Sequence, residues 1–462
     1  MWYLKRGVQH VTMRKRSLFH LCIVAGIFLL AAQLGLLAIL LYGDHSSAPL
    51  SAVLDVQLFL NATASLHLPV ILLDAVLLEK FTTTRQVLND EDTGCIFCDI
   101  SNPIAFGALY KHVSDQREVL QSQLESVGFS SVVLLNTLPP EPAAPKSVRD
   151  APIAVVLRKQ DPPVGATIQL VLLHERDADF WWHGAAVSDF GVNNKLLSVG
   201  VKSLGELSIM QSEGAFDKFE GSPVQMDGLR VVVPSNIPGF LDQKSQSRYV
   251  ECSHSRAAAF HEQHGVDEGR DAIRFRHRAW KLLARAKKLL DEMGIPFWLS
   301  SGTCLGYFRQ CDIISYSKDV DLGILASDYQ DQLVPRFTKH GLRLKHWFGQ
   351  LNDSLELSFV SGDLKLDLFF FYEEGNVLWN GGTQAKSGLK FKYNFPHFSL
   401  CWTEFLELKV RVPCETLSYI QANYGASWDI PQQQWDWKSS PPNVKPNGAW
   451  PRSIWPQVIR VY

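Results

Sequence analysis

A continuous apolar segment close to the N-terminus, residues 18–41, constrains this chain more strongly than any other feature. It is interrupted only by His20, Gln33 and small residues. As a helix, its 24 residues would span ~36 Å, which is enough to cross a bilayer. A cleaved signal peptide has a shorter apolar region. A helix on the surface of a globular domain would have a polar face, and this segment has none. The segment therefore predicts a transmembrane signal-anchor.

The charges that flank this segment predict its orientation. Five basic residues and no acidic residue precede it: Lys5, Arg6, Arg14, Lys15 and Arg16. No Lys or Arg follows until Lys80. Because positive charge stays on the cytosolic side, we expect residues 1–17 to form a cytosolic tail, with everything after the segment lumenal or extracellular. Two sequons suit that single-pass, type II placement, at Asn61 and Asn352.

The composition excludes several classes of protein. Of the 462 residues, 46% are hydrophobic and 20% are charged, with a formal net charge of −2. A disordered chain would be less apolar and more strongly charged, and a collagen-like or coiled-coil fibre would show a fixed repeat. A near-neutral chain also lacks the bulk positive charge that draws proteins to nucleic acids, so we expect no nucleic-acid partner.

The order of apolar and polar segments predicts the domain organisation. After a stem linker over 42–67, short apolar runs typical of strands alternate with polar segments, which predicts a non-catalytic α/β stem domain over 68–265. A strongly amphipathic segment then predicts a helix over 271–293 within a second domain, 266–462. Gly294 is placed to end that helix, and a buried strand is expected to follow.

The eight cysteines leave several pairings open. Cys22 lies in the predicted anchor, so seven remain and at least one must be free or paired between chains. The spacing of Cys95 and Cys98 suits a local disulfide or two structural thiols better than a metal site, since no matching pair follows. In the second domain the first two of four cysteines could pair with each other or with either of the last two: Cys304, Cys311, Cys401 and Cys414.

Three aspartates and a glycine-containing turn in the second domain indicate phosphate chemistry. Gly302 and Thr303 lie between a strand and a helix, where backbone N–H groups can approach a phosphate. Asp319 and Asp321 would share one face of a strand and could hold Mg²⁺ or Mn²⁺. Asp367 lies in an apolar run, where a bound cation would compensate its charge. These groups can bind a nucleotide diphosphate and move a phosphoryl group.

In this order the motifs resemble the LicD-like phosphotransferase branch of the nucleotidyltransferase fold. The matching parts are the Gly-Thr-Cys-Leu-Gly turn over 302–306 with Arg309, and the Asp-Val-Asp motif over 319–321. Bacterial members carry further acidic residues before that motif, where this chain has Ser-Tyr-Ser-Lys over 315–318, so fewer carboxylates are left to bind metal. Longer segments are similar to the fukutin family, over 296–306, 316–323, 379–386, 400–405 and 435–443.

The residues and the resemblance together give an expected α/β fold class. It comprises a single N-terminal transmembrane helix, a lumenal α/β stem domain and a nucleotidyltransferase-fold α+β catalytic domain. The resemblance implies transfer of ribitol 5-phosphate from CDP-ribitol to the phosphorylated O-mannosyl glycan of α-dystroglycan, with release of CMP, at the Golgi membrane. The implied partners are the donor, the acceptor glycan, the membrane and other enzymes of O-mannosyl glycan synthesis.

The resemblance also implies roles for individual residues. Asp319 and Asp321 are expected to hold the cation, and Asp367 to complete the metal shell or to take the proton of the acceptor hydroxyl. Gly302 and Thr303 are expected to position phosphate oxygens. Four basic residues are expected to contact phosphates, although the first could instead brace the motif and the others could form a solvated face: Arg309, Lys386, Lys390 and Lys392.

Other functions compete with this interpretation. A metal-dependent glycosyltransferase would use the Asp-Val-Asp motif on a nucleotide sugar, and a phosphocholine transferase would use the same fold on CDP-choline. An inactive domain could also serve as a scaffold for other glycosylation enzymes. The Gly-Thr turn before the motif and Asp367 after it favour phosphotransfer.

Overall fold

A computed structural model describes most of the chain from residue 48 onwards. The described residues are 33, 48–86, 95–98, 103–136, 151–159, 165–207, 209, 211–432 and 434–462. The predicted cytosolic tail and, apart from residue 33, the predicted anchor over 18–41 lie outside them.

The expected fold class needs a correction, because no helix in the described ranges is both long and apolar enough to span a bilayer. The longest of these helices, Arg270–Glu292, has 23 residues but carries charged side chains along its whole length. The expected transmembrane helix is therefore not found among the described residues. The described chain is a mixed α/β protein built on two large sheets.

The first sheet has seven strands in the described residues. Its central order is β1-β2-β5-β4-β3, with β6 pairing to β5 and β7 to β6, and only β2 and β5 run parallel. A separate hairpin, β8 with β9, follows it. The strands are β1 (Ile71–Leu72), β2 (Ile104–Leu109), β3 (Phe129–Leu135), β4 (Pro152–Lys159), β5 (Ile168–Arg176), β6 (Phe180–His183), β7 (Gly214–Asp217), β8 (Gly221–Met226) and β9 (Leu229–Pro234).

Helices surround this first sheet. Side-chain caps start three of them: Asp74 accepts from the Leu77 N–H, Asp189 from the Val192 N–H, and Asn236 from the Gly239 N–H. The α-helices are α1 (Ala48–Ser65), α2 (Ala75–Gln86), α3 (Tyr110–Ser114), α4 (Arg117–Ser126), α5 (Phe190–Ser198) and α6 (Ile237–Ser245), with a short 3₁₀ helix at Leu204–Glu206.

The segment predicted as a stem linker, 42–67, contains helix α1. Val56 and Phe59 of this helix are fully buried, and the Phe59 ring lies 5.2 Å from that of Phe106 in β2. Asp55 accepts the Ala166 N–H at 3.1 Å and pairs with Lys159. Helix α1 therefore belongs to the core of the first sheet, because its apolar side chains cover β2.

The second sheet has nine strands in the described residues. Its order is β19-β16-β15-β14-β13-β12-β20, with β11 pairing to β14 and β10 to β11. Only β11 and β14 run parallel. The strands are β10 (Trp298–Leu299), β11 (Asp319–Leu325), β12 (Arg343–Gln350), β13 (Asp353–Ser361), β14 (Leu364–Glu374), β15 (Val377–Gln384), β16 (Leu389–Pro396), β19 (Val444–Ala449) and β20 (Ile459–Val461), and a separate hairpin joins β17 (Leu400–Phe405) to β18 (Leu408–Pro413).

The helix predicted over 271–293 is confirmed, one residue displaced, as α8 (Arg270–Glu292). Its apolar side, including Leu283 and Leu290, packs into the second core. Gly294 ends it with a φ of 66°, a left-handed conformation that glycine adopts without strain. The other helices of this half are α7 (His254–His264), α9 (Ser301–Gln310), α10 (Leu333–Lys339), α11 (Thr416–Tyr424) and α12 (Trp455–Val458), with 3₁₀ helices at Ala326–Asp328 and Arg452–Ile454.

Three disulfides resolve the open cysteine pairings among the described residues. They join Cys95 to Cys98, Cys252 to Cys311, and Cys401 to Cys414, and they leave Cys304 free and buried. The partner of Cys311 is thus Cys252, which the sequence reasoning did not consider. The second bridge links the start of α7 to the end of α9, a contact that only the packing of the two helices creates.

Direct contacts join the two halves of the molecule. The Arg176 side chain of β5 donates to Glu404 of β17 at 2.8 Å, and Lys409 of β18 pairs with Asp217 of β7 at 2.7 Å. A backbone hydrogen bond also joins the two halves, because the Trp402 N–H donates to the Arg248 carbonyl. The β17–β18 hairpin therefore couples the second half to the end of the first sheet.

Candidate metal and phosphate site

Three aspartates come together at the start of the parallel pair β11 and β14. The register places Asp319 beside Lys365 and Asp321 beside Asp367. Neighbouring residues in register point to the same face of a sheet, so these four side chains share one face. One carboxylate oxygen from each aspartate lies within 4.8 Å of the other two. Asp321 and Asp367 are buried, and Asp319 is half-buried.

The Gly-Thr turn braces this cluster. The Gly302 N–H donates to Asp321 Oδ2 at 3.1 Å, and the Asp321 N–H donates to Thr303 Oγ1 at 2.8 Å. Ser317 Oγ donates to Asp319 Oδ1 at 3.0 Å. Both residues that were predicted to position phosphates therefore lie at the cluster, where their hydrogen bonds hold Asp321.

Burial and like charge act together on the carboxylates. Burial raises the pKa of Asp321 well above its usual range, and the charges of Asp319 and Asp367 raise it further. Burial also raises the pKa of Asp367, against the opposing effect of Lys365. A site that disfavours ionisation of its own carboxylates in this way gains most from a bound positive charge.

Lys365 is a site residue that sequence reasoning missed. Its Nζ lies 2.6 Å from Asp367 Oδ2 and 3.4 Å from Asp319 Oδ2. Burial opposes the charged ammonium, yet the pKa of Lys365 is raised because the two carboxylates lie beside it. The available signal was its spacing: Lys365 precedes Asp367 by two residues, so in a strand both must face the same way.

Strand β13 adds two further polar residues to this face. Ser358 lies opposite Asp367 in the antiparallel register, and Glu356 lies two residues before Ser358. Burial, followed by the charge of Asp367, raises the pKa of Glu356 to about 8. No spacing in the sequence links Glu356 to the aspartates, because the pairing of β13 with β14 brings them together.

One aromatic pair borders the cluster on the side of α9. The Tyr424 ring lies 4.9 Å from that of Trp435, whose side chain is partly exposed. A Cβ on Gly302 would lie 4.0 Å from the Tyr424 hydroxyl. Burial, then the charge of Asp321, raises the pKa of Tyr424 well above its usual range. Tyr424 thus connects the acidic cluster to an accessible indole.

A second aromatic group surrounds Tyr393 of β16. The Tyr393 hydroxyl donates to the Trp437 carbonyl at 2.8 Å, and the Trp437 ring packs edge-on against Phe391 at 5.3 Å. Burial raises the pKa of Tyr393 and the charge of Glu356 raises it further. Two exposed indoles, Trp435 and Trp437, therefore lie in the segment that precedes β19, each in contact with one of these tyrosines.

Arg309 is buried away from solvent. Its Nη2 donates to Gln310 at 2.9 Å, and its guanidinium lies 4.4 Å from the Phe260 ring. With 2% of its surface exposed, it packs between α7 and α9. These contacts are those of a side chain that braces the two helices, and they do not include the acidic cluster.

The three predicted lysines lie on β16 and on the turn before it. Lys390 pairs with Asp353 and lies 4.3 Å from the Trp450 ring, while Lys392 pairs with Glu374. Lys386 is exposed in the turn between β15 and β16. None of the three forms an ion pair with Asp319, Asp321 or Asp367, and the two on β16 have carboxylate partners of their own.

The two sequon asparagines are both exposed. Asn61 lies on helix α1, and Asn352 lies in the turn between β12 and β13.

The acidic cluster fits a hard divalent cation. All three ligand atoms are carboxylate oxygens, which Mg²⁺ and Mn²⁺ prefer. Asp367 Oδ1 is buried and makes no hydrogen bond within the described chain. A buried oxygen without a partner is costly unless another group compensates it.

Comparisons with known proteins cover both halves of the chain. Residues 38–280 match the family described as Fukutin N-terminal. Residues 294–415, which contain all three aspartates, match the family described as LicD/FKTN/FKRP, nucleotidyltransferase domain. The first match alone covers more than half of the sequence. The chain belongs to the fukutin family. The resemblance seen in the sequence is thereby confirmed.

Several relatives carry functional names. The fukutin-family protein of Homo sapiens named ribitol-5-phosphate transferase FKTN is 42% identical over 413 residues, which is 88% of each chain. The protein of the same name from Mus musculus is 43% identical over 416 residues, again 88% of each chain. An uncharacterized protein of Caenorhabditis elegans is 28% identical over 247 residues, 50% of this chain and 61% of that one.

Proposed function

We propose that this protein transfers ribitol 5-phosphate from CDP-ribitol to the phosphorylated O-mannosyl glycan of α-dystroglycan and releases CMP. The observation that carries the proposal is the meeting of three carboxylates on adjacent parallel strands, inside the region that matches the nucleotidyltransferase family. The names of the mammalian relatives support the same activity.

Asp319, Asp321 and Asp367 would hold Mg²⁺ or Mn²⁺. When bound, such a cation neutralises charge on the diphosphate and polarises the phosphorus–oxygen bonds. The Gly302 N–H and the Thr303 hydroxyl keep Asp321 in position, so the turn acts on the substrate through this aspartate.

In the transfer, one phosphorus–oxygen bond forms and another breaks. A hydroxyl of the acceptor glycan attacks the phosphorus that carries ribitol, and the bond from that phosphorus to the bridging oxygen breaks, so CMP leaves. Asp367 is in place to take the hydroxyl proton, since burial raises its pKa. Lys365, 2.6 Å from Asp367, balances the negative charge of this face while the substrates are absent.

The two exposed indoles suit the base of the donor. Trp435 and Trp437 each contact a half-buried tyrosine, Tyr424 and Tyr393, that lies near the acidic groups of this face. Aromatic rings stack on the flat face of a pyrimidine and are tolerant of its exact position. We assign the cytosine of the donor to this aromatic border.

A CMP-release assay on the purified protein tests the activity. CDP-ribitol and a phosphorylated O-mannosyl glycopeptide are the substrates, with CDP-choline and UDP-sugars as alternative donors. We expect CMP release with CDP-ribitol only, and loss of that release when EDTA removes divalent cations. Turnover of UDP-sugars in place of CDP-ribitol would make the protein a glycosyltransferase. Absence of turnover with every donor would favour a scaffold.

We also propose that the protein works in the lumen of the Golgi apparatus. Three disulfides support an oxidising compartment, because cytosolic thiols stay reduced. Peptide mapping of the protein from its native cells should recover the Cys252–Cys311 bridge together with glycans on Asn61 or Asn352. Recovery of free thiols and unmodified sequons would contradict a lumenal location.

A further inference from the structure

A cavity of about 220 Å³ opens in the first half of the molecule, at the carboxyl ends of β2 and β5. Its wall includes Tyr110, Lys111, His174, Glu175, Arg176 and Trp182. Strands β2 and β5 are the only parallel pair in the described part of the first sheet. The edge beyond the carboxyl ends of parallel strands is where α/β proteins commonly bind ligands.

Three aromatic rings form one wall of this cavity. Tyr110 and His174 stack with ring centroids 4.6 Å apart, and His174 meets Trp182 edge-on at 5.5 Å. His174 Nε2 lies 2.8 Å from the Pro152 carbonyl, and burial lowers the pKa of this imidazole. The wall is therefore uncharged near neutral pH, and it offers flat apolar surface.

The charged groups of the cavity are paired with each other or with neighbours. Lys111 pairs with Glu175 at 3.0 Å. Arg176 pairs with Glu251 at 3.0 Å and with Glu404 at 2.8 Å. Arg176 Nη1 is buried and makes no hydrogen bond to any described residue. The cavity thus presents donors and acceptors but no excess of positive charge, which disfavours a phosphate and favours hydroxyl groups.

We propose that this cavity binds one sugar ring. The apolar C–H face of a pyranose packs on an aromatic wall, and its hydroxyls bond to paired charged side chains such as Lys111 and Glu175. A volume of about 220 Å³ lies below the roughly 300–1,000 Å³ of drug-sized pockets, so it suits a single ring better than a nucleotide.

The sugar belongs to the acceptor glycan, and this assignment rests on the proposed function. Arg176 lies in the cavity wall and bonds to Glu404 of β17, so the cavity adjoins the half that carries the acidic cluster. The donor site lies on the second sheet, which leaves the first half of the molecule available for the acceptor. The first half would then select the glycan on which the second half acts.

Sugar binding is tested first without catalysis. Saturation-transfer NMR on the full chain uses methyl glycosides of mannose, glucose and N-acetylglucosamine, and the O-mannosyl glycopeptide. We expect a signal from at least one of these probes, lost in Tyr110→Ala and weakened in Glu175→Gln. Phe190→Ala, at a side chain 83% exposed outside the cavity, is the matched control and should keep the signal. A melting curve checks that each variant is folded.

Kinetics then test the acceptor role. We expect Tyr110→Ala to raise KM for the glycopeptide about tenfold, the effect of one lost aromatic contact, with KM for CDP-ribitol unchanged. No signal from any probe, or a signal that survives in folded Tyr110→Ala, overturns the sugar site. A lost signal with unchanged glycopeptide KM overturns the acceptor role alone. Absence of CMP release would refute the proposed function, while the NMR result would still decide the cavity.

Discussion

The two large sheets each contain one parallel pair of strands in the described residues, and the two pairs differ in the residues that they place side by side. In the first sheet, β2 and β5 place almost entirely apolar residues side by side, and polar groups collect only beyond the carboxyl ends of the strands. In the second sheet, β11 and β14 carry Asp319, Asp321 and Asp367 at their amino ends. The same pairing geometry thus supports an aromatic cavity in one half and an acidic cluster in the other.

This contrast shows that the residues in register, and not the topology, decide the chemistry of a parallel pair. Adjacent strands bring residues in register within about 5 Å of each other. Where those residues are apolar, they bury and stabilise the sheet. Where they are carboxylates, each raises the pKa of the next, as at Asp321, and the site requires a compensating charge. The predictions below test both halves of this comparison.

The largest expected effect is on catalysis at the second pair. Asp321→Asn should lower CMP release by about 10² to 10³-fold, because it removes charge from a preorganised electrostatic site. Folding should be retained, since the amide has the shape of the carboxylate without its burial penalty. Mg²⁺ should raise the melting temperature of the wild type but not of the variant. The exposed Asp331→Asn is the matched control. Unchanged CMP release in Asp321→Asn would refute the metal role.

The next effect concerns a carboxyl group in the first half. Burial, then the charge of Glu251, raises the pKa of Glu213 to about 8 from an ordinary 4.5, against the opposing charge of Arg176. The folded protein therefore keeps a proton that the unfolded chain releases between pH 4.5 and 8, so stability falls as pH rises through that window.

Glu213→Gln should remove this decline, which amounts to several kcal/mol because each pKa unit is worth about 1.4 kcal/mol. Urea unfolding of both proteins at pH 5, 6.5 and 8 measures it. Parallel pH profiles for the wild type and the variant would show that Glu213 is ionised in the folded state.

The third prediction concerns the positive charge that Lys365 supplies to the acidic cluster, and it is measured by stability and not by activity. Lys365→Met should lower the free energy of unfolding by about 1–3 kcal/mol without divalent cations, because Asp367 loses its buried partner. Mg²⁺ should restore part of that loss, since it would supply the missing positive charge. Lys345→Met, at an exposed position on β12, serves as the control. Equal destabilisation with and without Mg²⁺ would argue against a cation at this position.

The smallest effect compares a glycine in each parallel pair. A Cβ on Gly323 of β11 would lie 2.3 Å from the Trp298 indole, a rigid buried ring, and Gly323→Ala should cost about 1–3 kcal/mol. A Cβ on Gly107 of β2 would meet the Leu73 methyl at 2.4 Å, and that side chain can turn away. Gly107→Ala should therefore cost less. Urea unfolding decides this, and an equal cost would show that Leu73 is as constrained as Trp298.

Local patterns in the sequence predicted much of the second half. The amphipathic period located α8 within one residue, and Gly294 ended it as expected. The spacing of Asp319 and Asp321 predicted a shared strand face, which the register of β11 confirms. The same period-two reasoning would have found Lys365 beside Asp367.

Other features could not be read from local patterns. Glu356 joins the polar face only through the pairing of β13 with β14. Cys311 meets Cys252 across a separation of 59 residues, because α7 packs on α9. The segment predicted as a linker contains a core helix, because its apolar residues pack on β2. Lys390 and Lys392 of β16 pair with Asp353 of β13 and Glu374 of β14, which lie elsewhere in the same sheet.

The sequence by itself determined which residues are candidates for the chemistry, the family of the chain and the elements in which the aspartates lie, because these depend on residue type and short spacing. Tertiary structure alone decided the partners of those residues: Lys365 and Glu356 beside the aspartates, Arg309 between two helices, and a ring-lined cavity at the ends of β2 and β5. Strand register and helix packing set these partnerships, and both depend on contacts between residues far apart in the chain.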